Sequence, residues 1–275
     1  MLVRNRPLAI SNLELHVAHS CNLACESCSH YSDHGHKGLL ALDEARRWME
    51  PWAARLAPAK FSLLGGEPAI HPELAEFVPL VRGLWPKAQV RIATNGLLLH
   101  RHPDLPRRLA AADNAVLEVS IHHASDAYRE RLEPVFRLLR EWIRRYGINV
   151  GLVHSYANWT RRYNGFGAAM APFKDDDPRS SWEHCPAKHC PQLLDGAIAK
   201  CGPIAYLPMQ DSKYRLSDEW RPYLDYQPLV AGCSDAELAA FFARQEEPIC
   251  AMCTAAPERF ALASPLRANG PLQPV

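Results

Sequence analysis

The chain has 275 residues with 31 basic and 30 acidic side chains, and its 48% hydrophobic and 22% charged content is that of a folded globular protein rather than a disordered one. A net charge of +1 gives no electrostatic footprint for nucleic acid or an anionic membrane, and no apolar run approaches the ~20 residues that span a bilayer. The first residues lead into a strand pattern and not a secretory leader, so a cytoplasmic location is expected, and nine cysteines in a reducing compartment point to metal ligands, nucleophiles or buried apolar groups rather than disulfides.

Residues 12–17 alternate apolar and polar positions and predict a strand that ends where Cys21, Cys25 and Cys28 cluster. Helical apolar spacing over 42–56, closed by Pro58, predicts the first helix. The apolar run 60–64 predicts a second strand, which enters Gly65-Gly66-Glu67-Pro68. Helices follow at 72–85, 105–112 and 126–146, and strands at 89–94, 115–121 and 148–154, with Asn95-Gly96 as the turn after the third strand. This repeat of strand, loop and helix predicts an α/β fold with a mainly parallel sheet. After about residue 156 the rhythm gives way to Gly, Asp and aromatic residues and then to Cys and Pro, and six of the nine cysteines lie between Cys185 and Cys253. Such a shift marks a boundary. The expected organisation is a strand-and-helix domain over 1–180, a cysteine-rich domain over 181–257 and a C-terminal tail over 258–275.

Cys21-Asn-Leu-Ala-Cys25-Glu-Ser-Cys28 places three thiols in a loop after a strand, one short of a tetrahedral zinc site or a four-cysteine cluster. An incomplete set leaves one coordination position open, unless a residue such as His30 closes a structural zinc site. With this C-x3-C-x2-C loop the sequence resembles the radical S-adenosylmethionine (SAM) superfamily. The resemblance extends to Gly65-Gly66-Glu67-Pro68, which matches the element whose backbone and carboxylate hold the methionine amino group of SAM. It extends also to Thr94-Asn95-Gly96 and Ser120, at strand positions where the superfamily places contacts to the SAM carboxylate and ribose. Ser27 departs from the pattern, since the residue before the third cysteine is usually aromatic and covers the adenine; Tyr31 or Ile121 are the candidate substitutes. The resemblance implies a partial (β/α)6 TIM-like barrel, a [4Fe-4S] cluster held by Cys21, Cys25 and Cys28, and SAM contacts at Gly65, Gly66, Glu67, Asn95 and Ser120. It implies reductive cleavage of SAM to a 5'-deoxyadenosyl radical that abstracts a substrate hydrogen.

In the second cysteine region, Cys190, Gly196 and Cys201 fit a ligand-bearing hairpin, and Cys250-Ala-Met-Cys253 has the local spacing of two thiolates on one metal. By resemblance this is a twitch-type domain binding an auxiliary [4Fe-4S] cluster through Cys190, Cys201, Cys250 and Cys253, with Cys185 the rival for Cys190; a four-cysteine zinc site has the same spacing. Cys233 stands apart, read as a buried apolar residue or as a catalytic thiol that returns hydrogen to a substrate radical. His122, His123 and His154 lie at predicted strand ends as candidate substrate contacts or general bases, and the connections 158–163 and 175–178 are either pocket lining or solvated linker.

The function expected is that of a radical SAM oxidoreductase or epimerase acting on a small polar substrate such as a sugar, an aminocyclitol or a nucleoside-like alcohol, with flavodoxin or ferredoxin as electron donor. The length, with no room for a cobalamin or leader-peptide domain, favours that over the nearer alternative, modification of a ribosomally made peptide. The alternative of a different class is a noncatalytic zinc-binding interaction protein. Neither a nucleic-acid nor a membrane partner is expected.

Overall fold

The computed structural model describes residues 6–266. The five predicted strands, β1 (Leu8–Ala18), β2 (Leu56–Gly65), β3 (Gln89–Thr94), β4 (Ala115–Ile121) and β5 (Asn149–His154), lie in one sheet of order β5-β4-β3-β2-β1-β6-β7. Every pairing from β5 to β6 (Gln192–Leu194) is parallel, and β7 (Ala197–Ala199) closes an antiparallel hairpin on β6. The crossovers are α1 (Leu42–Ala53), α2 (Leu74–Leu84), α3 (Leu105–Ala111) and α4 (Asp126–Tyr146), each packed on the next. This is the α/β, partial TIM-like barrel that the sequence implies.

Local chemistry fixes these elements. The Ser125 hydroxyl accepts the Tyr128 N–H at the start of α4, and Gly147, at φ +67°, ends it where a side chain would be strained. One boundary differs: α1 stops at Ala53, and Pro58 lies inside β2 instead of beyond a helix. Proline is tolerated there because β2 meets β3 only from Lys60 onward, so no ladder bond to β3 is lost.

The hairpin β6–β7 comes from the cysteine-rich region, yet it joins the barrel sheet at Glu14 and Leu15 of β1. The rest of that region is short helices: α5 (Pro178–Glu183), α6 (Gly202–Ala205), α7 (Leu207–Tyr214), α8 (Arg221–Leu224) and α9 (Asp235–Ala243). Leu13, Leu15 and Val17 of β1 are buried in the main apolar core, while Asn12, Glu14 and His16 are buried on the other face, which lines the barrel lumen. A second apolar core gathers Tyr31, Tyr163, Tyr206, Trp220 and Met252, so the exit of the first cysteine loop is packed against the cysteine-rich region. No helix among the described residues is long and apolar enough to cross a membrane.

Candidate active site

The loop after β1 carries Cys21 and Cys28 half-buried and Cys25 buried. The Leu23 N–H points at the Cys21 sulfur at 3.4 Å, and Nδ1 of His122, from the end of β4, lies 3.6 Å from the Cys25 sulfur. Burial raises the Cys25 thiol well above its ordinary range, and the neighbouring Cys28 and Cys21 add to it. Burial also pushes Cys28 up to about 11, with the Asp33 carboxylate contributing. A buried thiol whose ionisation two neighbouring thiols oppose needs a cation beside it to be held as a thiolate. Among the described residues no three His, Cys, Asp or Glu side chains are arranged to hold a single metal ion. Three cysteine thiols on one loop, with no fourth, are the kind of donor set that an iron–sulfur cluster takes, its thiolates bound to separate irons.

The connection after β5 grips the same loop. Trp159 Nε1 donates to the Glu26 carbonyl at 2.7 Å, Arg161 pairs with the Glu26 carboxylate, and the Arg162 N–H donates to the Ser27 hydroxyl at 2.8 Å. Ser27 therefore serves as an acceptor inside the loop. Neither proposed substitute for the missing aromatic is free to cover an adenine: the Tyr31 ring lies against Tyr163 with its hydroxyl donating to the Pro203 carbonyl at 3.0 Å, and Ile121 belongs to the apolar core. The segment 158–163 is thus a strap on the cysteine loop.

At the end of β2, the N–H of Gly66 donates to the Ala18 carbonyl at 2.8 Å and that of Glu67 to the Ser20 carbonyl at 2.9 Å. A Cβ on Gly65 would come within 2.3 Å of the Ala18 oxygen and one on Gly66 within 2.4 Å of the Ser20 oxygen, so both glycines are demanded by the approach of the two strand ends. The Glu67 carboxylate, which the resemblance makes a SAM contact, is fully buried and hydrogen-bonded inside the protein. One oxygen accepts from the Thr94 hydroxyl and the Ala69 N–H, the other from the Asn95 N–H at 2.7 Å, and burial raises the acid to about 7. It locks the β2 end to the β3 end, and the Asn95 amide continues the chain by donating to Asn22 Oδ1 at 2.7 Å, inside the cysteine loop. Ser120 lies on the lumen face of β4, beside Val153 of β5. Loop, glycine pair and turn thus meet at the C-terminal ends of β1, β2 and β3.

A family profile described as the radical SAM superfamily matches residues 15–155, just over half of the chain. The chain belongs to the radical SAM superfamily. Membership implies an iron–sulfur cluster and SAM binding, which the donor set above accommodates. Among curated proteins, the GTP 3',8-cyclase of Stenotrophomonas maltophilia (strain K279a) is 32% identical over 125 residues, 45% of this chain and 36% of that protein. The GTP 3',8-cyclase of Cronobacter sakazakii (strain ATCC BAA-894) is 36% identical over 93 residues, 32% of this chain and 28% of that protein. The chain thus matches about a third of the length of these relatives. Among solved structures, BtrN in complex with AdoMet and 2-DOIA has a TM-score of 0.48 and 19% identity, covering 78% of this chain and 85% of that one.

Below the radical SAM loops, the lumen holds a polar network that periodicity alone did not reveal. Arg91 of β3 pairs with Glu14 of β1 at 3.2 Å and Glu118 of β4 at 3.1 Å, and its Nε donates to Ser62 of β2 at 3.0 Å. Gln192 of β6 donates to Glu14 at 2.6 Å and accepts from the Tyr206 hydroxyl at 3.0 Å. Above it, His16 stacks on Tyr206 at 4.4 Å between centroids and is flanked by His19 and His30. An arginine in the middle of a buried strand was the one available signal.

In the cysteine-rich region, burial raises Cys201 well above the ordinary thiol range, followed by its neighbours Cys185, Cys253 and Cys250. Burial pushes Cys253 up to about 12, again with Cys185 and Cys250 beside it, and Cys250 is raised by burial with Cys185 near. Cys185, Cys201, Cys250 and Cys253 therefore form one group. Cys190 is pushed up to about 12 by burial and then by the Glu14 carboxylate, so it faces the lumen network, with Cys185 also near it. Cys233 receives Arg55 at 3.4 Å, and Arg55 directly precedes β2. A ten-residue strand rises about 3.3 Å per residue, so this thiol lies roughly 30 Å from the Gly65 end, at the opposite mouth of the barrel. A hydrogen donor must reach the substrate radical, and Cys233 is not placed to do so. Of the strand-end histidines, His122 touches Cys25, His123 donates from Nε2 to the Leu262 carbonyl and accepts the Ser125 N–H at Nδ1, and His154 stacks on Tyr156.

Proposed function

We propose that Cys21, Cys25 and Cys28 hold the catalytic [4Fe-4S] cluster, that the backbone of Gly65 and Gly66 with Asn95 and Ser120 receives SAM, and that the lumen below takes a small polar substrate for dehydrogenation or epimerisation. The cluster with bound SAM supplies a 5'-deoxyadenosyl radical. The chain's own residues do the rest. Glu67, Thr94 and Asn95 hold the strand ends in register with the cysteine loop, the 159–163 strap covers it, and the lumen orients the substrate beneath.

The observation that carries the substrate class is the charge balance of the lumen. The relatives' name raises GTP as a substrate, and a triphosphate needs unpaired cations. Here the Arg91 guanidinium is engaged by Glu14, Glu118 and Ser62, Lys60 lies two positions lower on β2, toward the far mouth, and Arg162 lies near His30 and Cys253, on the side of the cysteine-rich region. Glu118, Ser120 and the imidazoles of His16, His19 and His30, whose protonation burial disfavours, suit hydroxyl and amino groups instead, so a sugar or aminocyclitol is favoured over a nucleotide. Residues 1–180 form the barrel domain in this reading, 181–257 an auxiliary domain and 258–275 the tail, of which 267–275 lie outside the described residues. The auxiliary cluster is assigned to Cys185, Cys201, Cys250 and Cys253, with Cys185 replacing Cys190. A flavodoxin or ferredoxin supplies the reducing electron.

The test is anaerobic turnover with SAM and dithionite against GTP, neutral cyclitols and aminocyclitols carrying deuterium on carbon. Deuterium in 5'-deoxyadenosine from a cyclitol supports the assignment, and deuterium transfer from GTP alone refutes it.

A further inference from the structure

One side chain near the cysteine loop comes from far away in sequence and has no part in the scheme above. His122 follows β4, and its Nδ1 lies 3.6 Å from the sulfur of Cys25, 97 residues away. The ring is held in place: its backbone N–H donates to the Tyr128 hydroxyl at 3.4 Å, and Trp159 meets it edge-on at 5.9 Å between centroids. Trp159 is itself tied to the Glu26 carbonyl, so the contact is built from β4, α4, the strap and the cysteine loop together.

We propose that His122 tunes the reduction potential of the catalytic cluster by donating its Nδ1 hydrogen to the Cys25 sulfur. This rests on the reading of Cys25 as a cluster ligand. A thiolate bound to iron carries no proton, so in this contact only the imidazole can donate. Reduction adds one electron from an external one-electron donor, with no bond made or broken, and the added negative charge is shared by the sulfur ligands. A hydrogen bond to one of those sulfurs stabilises the reduced form more than the oxidised form and raises the potential. The Cys21 sulfur receives an N–H from the Leu23 backbone, the Cys28 sulfur faces the His30 and Ser32 backbone and the Ser32 hydroxyl, and at Cys25 the side-chain donor is His122. His122 is therefore a positioning residue acting through Cys25.

The test compares wild type with His122→Phe and His122→Leu, which lack the donor, and with His122→Gln, which retains one. Each is reconstituted anaerobically, its iron counted, and its reduced cluster titrated potentiometrically by electron paramagnetic resonance without SAM. Expected is wild-type iron in all four, with the donor-free variants shifted toward the oxidised form by about tenfold, equivalent to 59 mV for one electron, and the glutamine variant nearer wild type. Full iron with an unchanged potential in the phenylalanine or leucine variant overturns the proposal, as does a glutamine variant shifted as far as they are. Wild type that takes up no iron at the Cys21, Cys25 and Cys28 loop refutes the ligand reading beneath it, a separate and recognisable result.

Discussion

Glu67→Gln tests how the site is held together. The wild-type carboxylate is fully buried and accepts three hydrogen bonds, from the Thr94 hydroxyl and the Ala69 and Asn95 N–H groups. Burial dominates those bonds and raises the acid from its ordinary 4.5 to about 7. The native state thus binds a proton that the unfolded state has lost between these two values. Stability contributed by this group is present below pH 4.5, falls as pH rises through that window, and is constant above it. At 1.36 kcal/mol per pH unit the total is about 3 kcal/mol. Glutamine cannot ionise: with its oxygen kept on the Thr94 hydroxyl and the Ala69 N–H, its amide nitrogen opposes the Asn95 N–H, and flipped it opposes the Ala69 N–H. The assay is urea unfolding of the metal-free protein, for wild type and variant, at intervals from pH 4.5 to 8.5. Taking the difference between the two chains removes the histidines and cysteines, which titrate in both. The wild-type advantage should decline by about 3 kcal/mol across the window and then level off. A difference that is flat with pH, or that rises with it, refutes the reading of Glu67 as a desolvated lock.

Gly66→Ala places a methyl group within 2.4 Å of the Ser20 oxygen, and backbone on both sides leaves little room to yield, so a loss of roughly 1–3 kcal/mol and a lower iron content on reconstitution are expected in unfolding and iron assays. Arg91→Met leaves Glu14 and Glu118 facing each other without their shared cation, and a loss on the order of 3–5 kcal/mol at neutral pH is expected by urea unfolding. Cys185→Ala should remove about four irons per chain while Cys190→Ala removes none, as read by iron and sulfide counts; the reverse pattern contradicts the auxiliary assignment.

The barrel was legible because its local signals agree with its tertiary structure. The 126–146 helix carries its own serine cap and terminal glycine, and the apolar strands alternate or run continuously as a parallel sheet requires. Pro58 misled because a proline after a helical pattern reads as a stop, and only the offset of β3 explains its place in a strand. The hairpin β6–β7 has three residues on each side, too few to show a period. Asn12, Glu14 and His16 have the polar alternation of a solvent-facing strand, and the sequence cannot distinguish water from a polar lumen as the medium they face. The cysteine loop and glycine pair were readable as motifs. The hydrogen bonds of the Glu67 carboxylate were not readable, because its three partners come together only through the fold. Spacing leaves Cys190 and Cys185 as rivals, and the place of Cys190 beside Glu14 as well as Cys185 comes only from the fold.

The most direct measurement is iron, sulfide and zinc content after anaerobic reconstitution, paired with 5'-deoxyadenosine formed from SAM and dithionite, in wild type and in the Cys21, Cys25 and Cys28 triple alanine variant. About eight irons per chain, with nucleoside formation that vanishes in the variant, is the predicted result. A colourless protein holding zinc, with no SAM cleavage in either chain, contradicts the account.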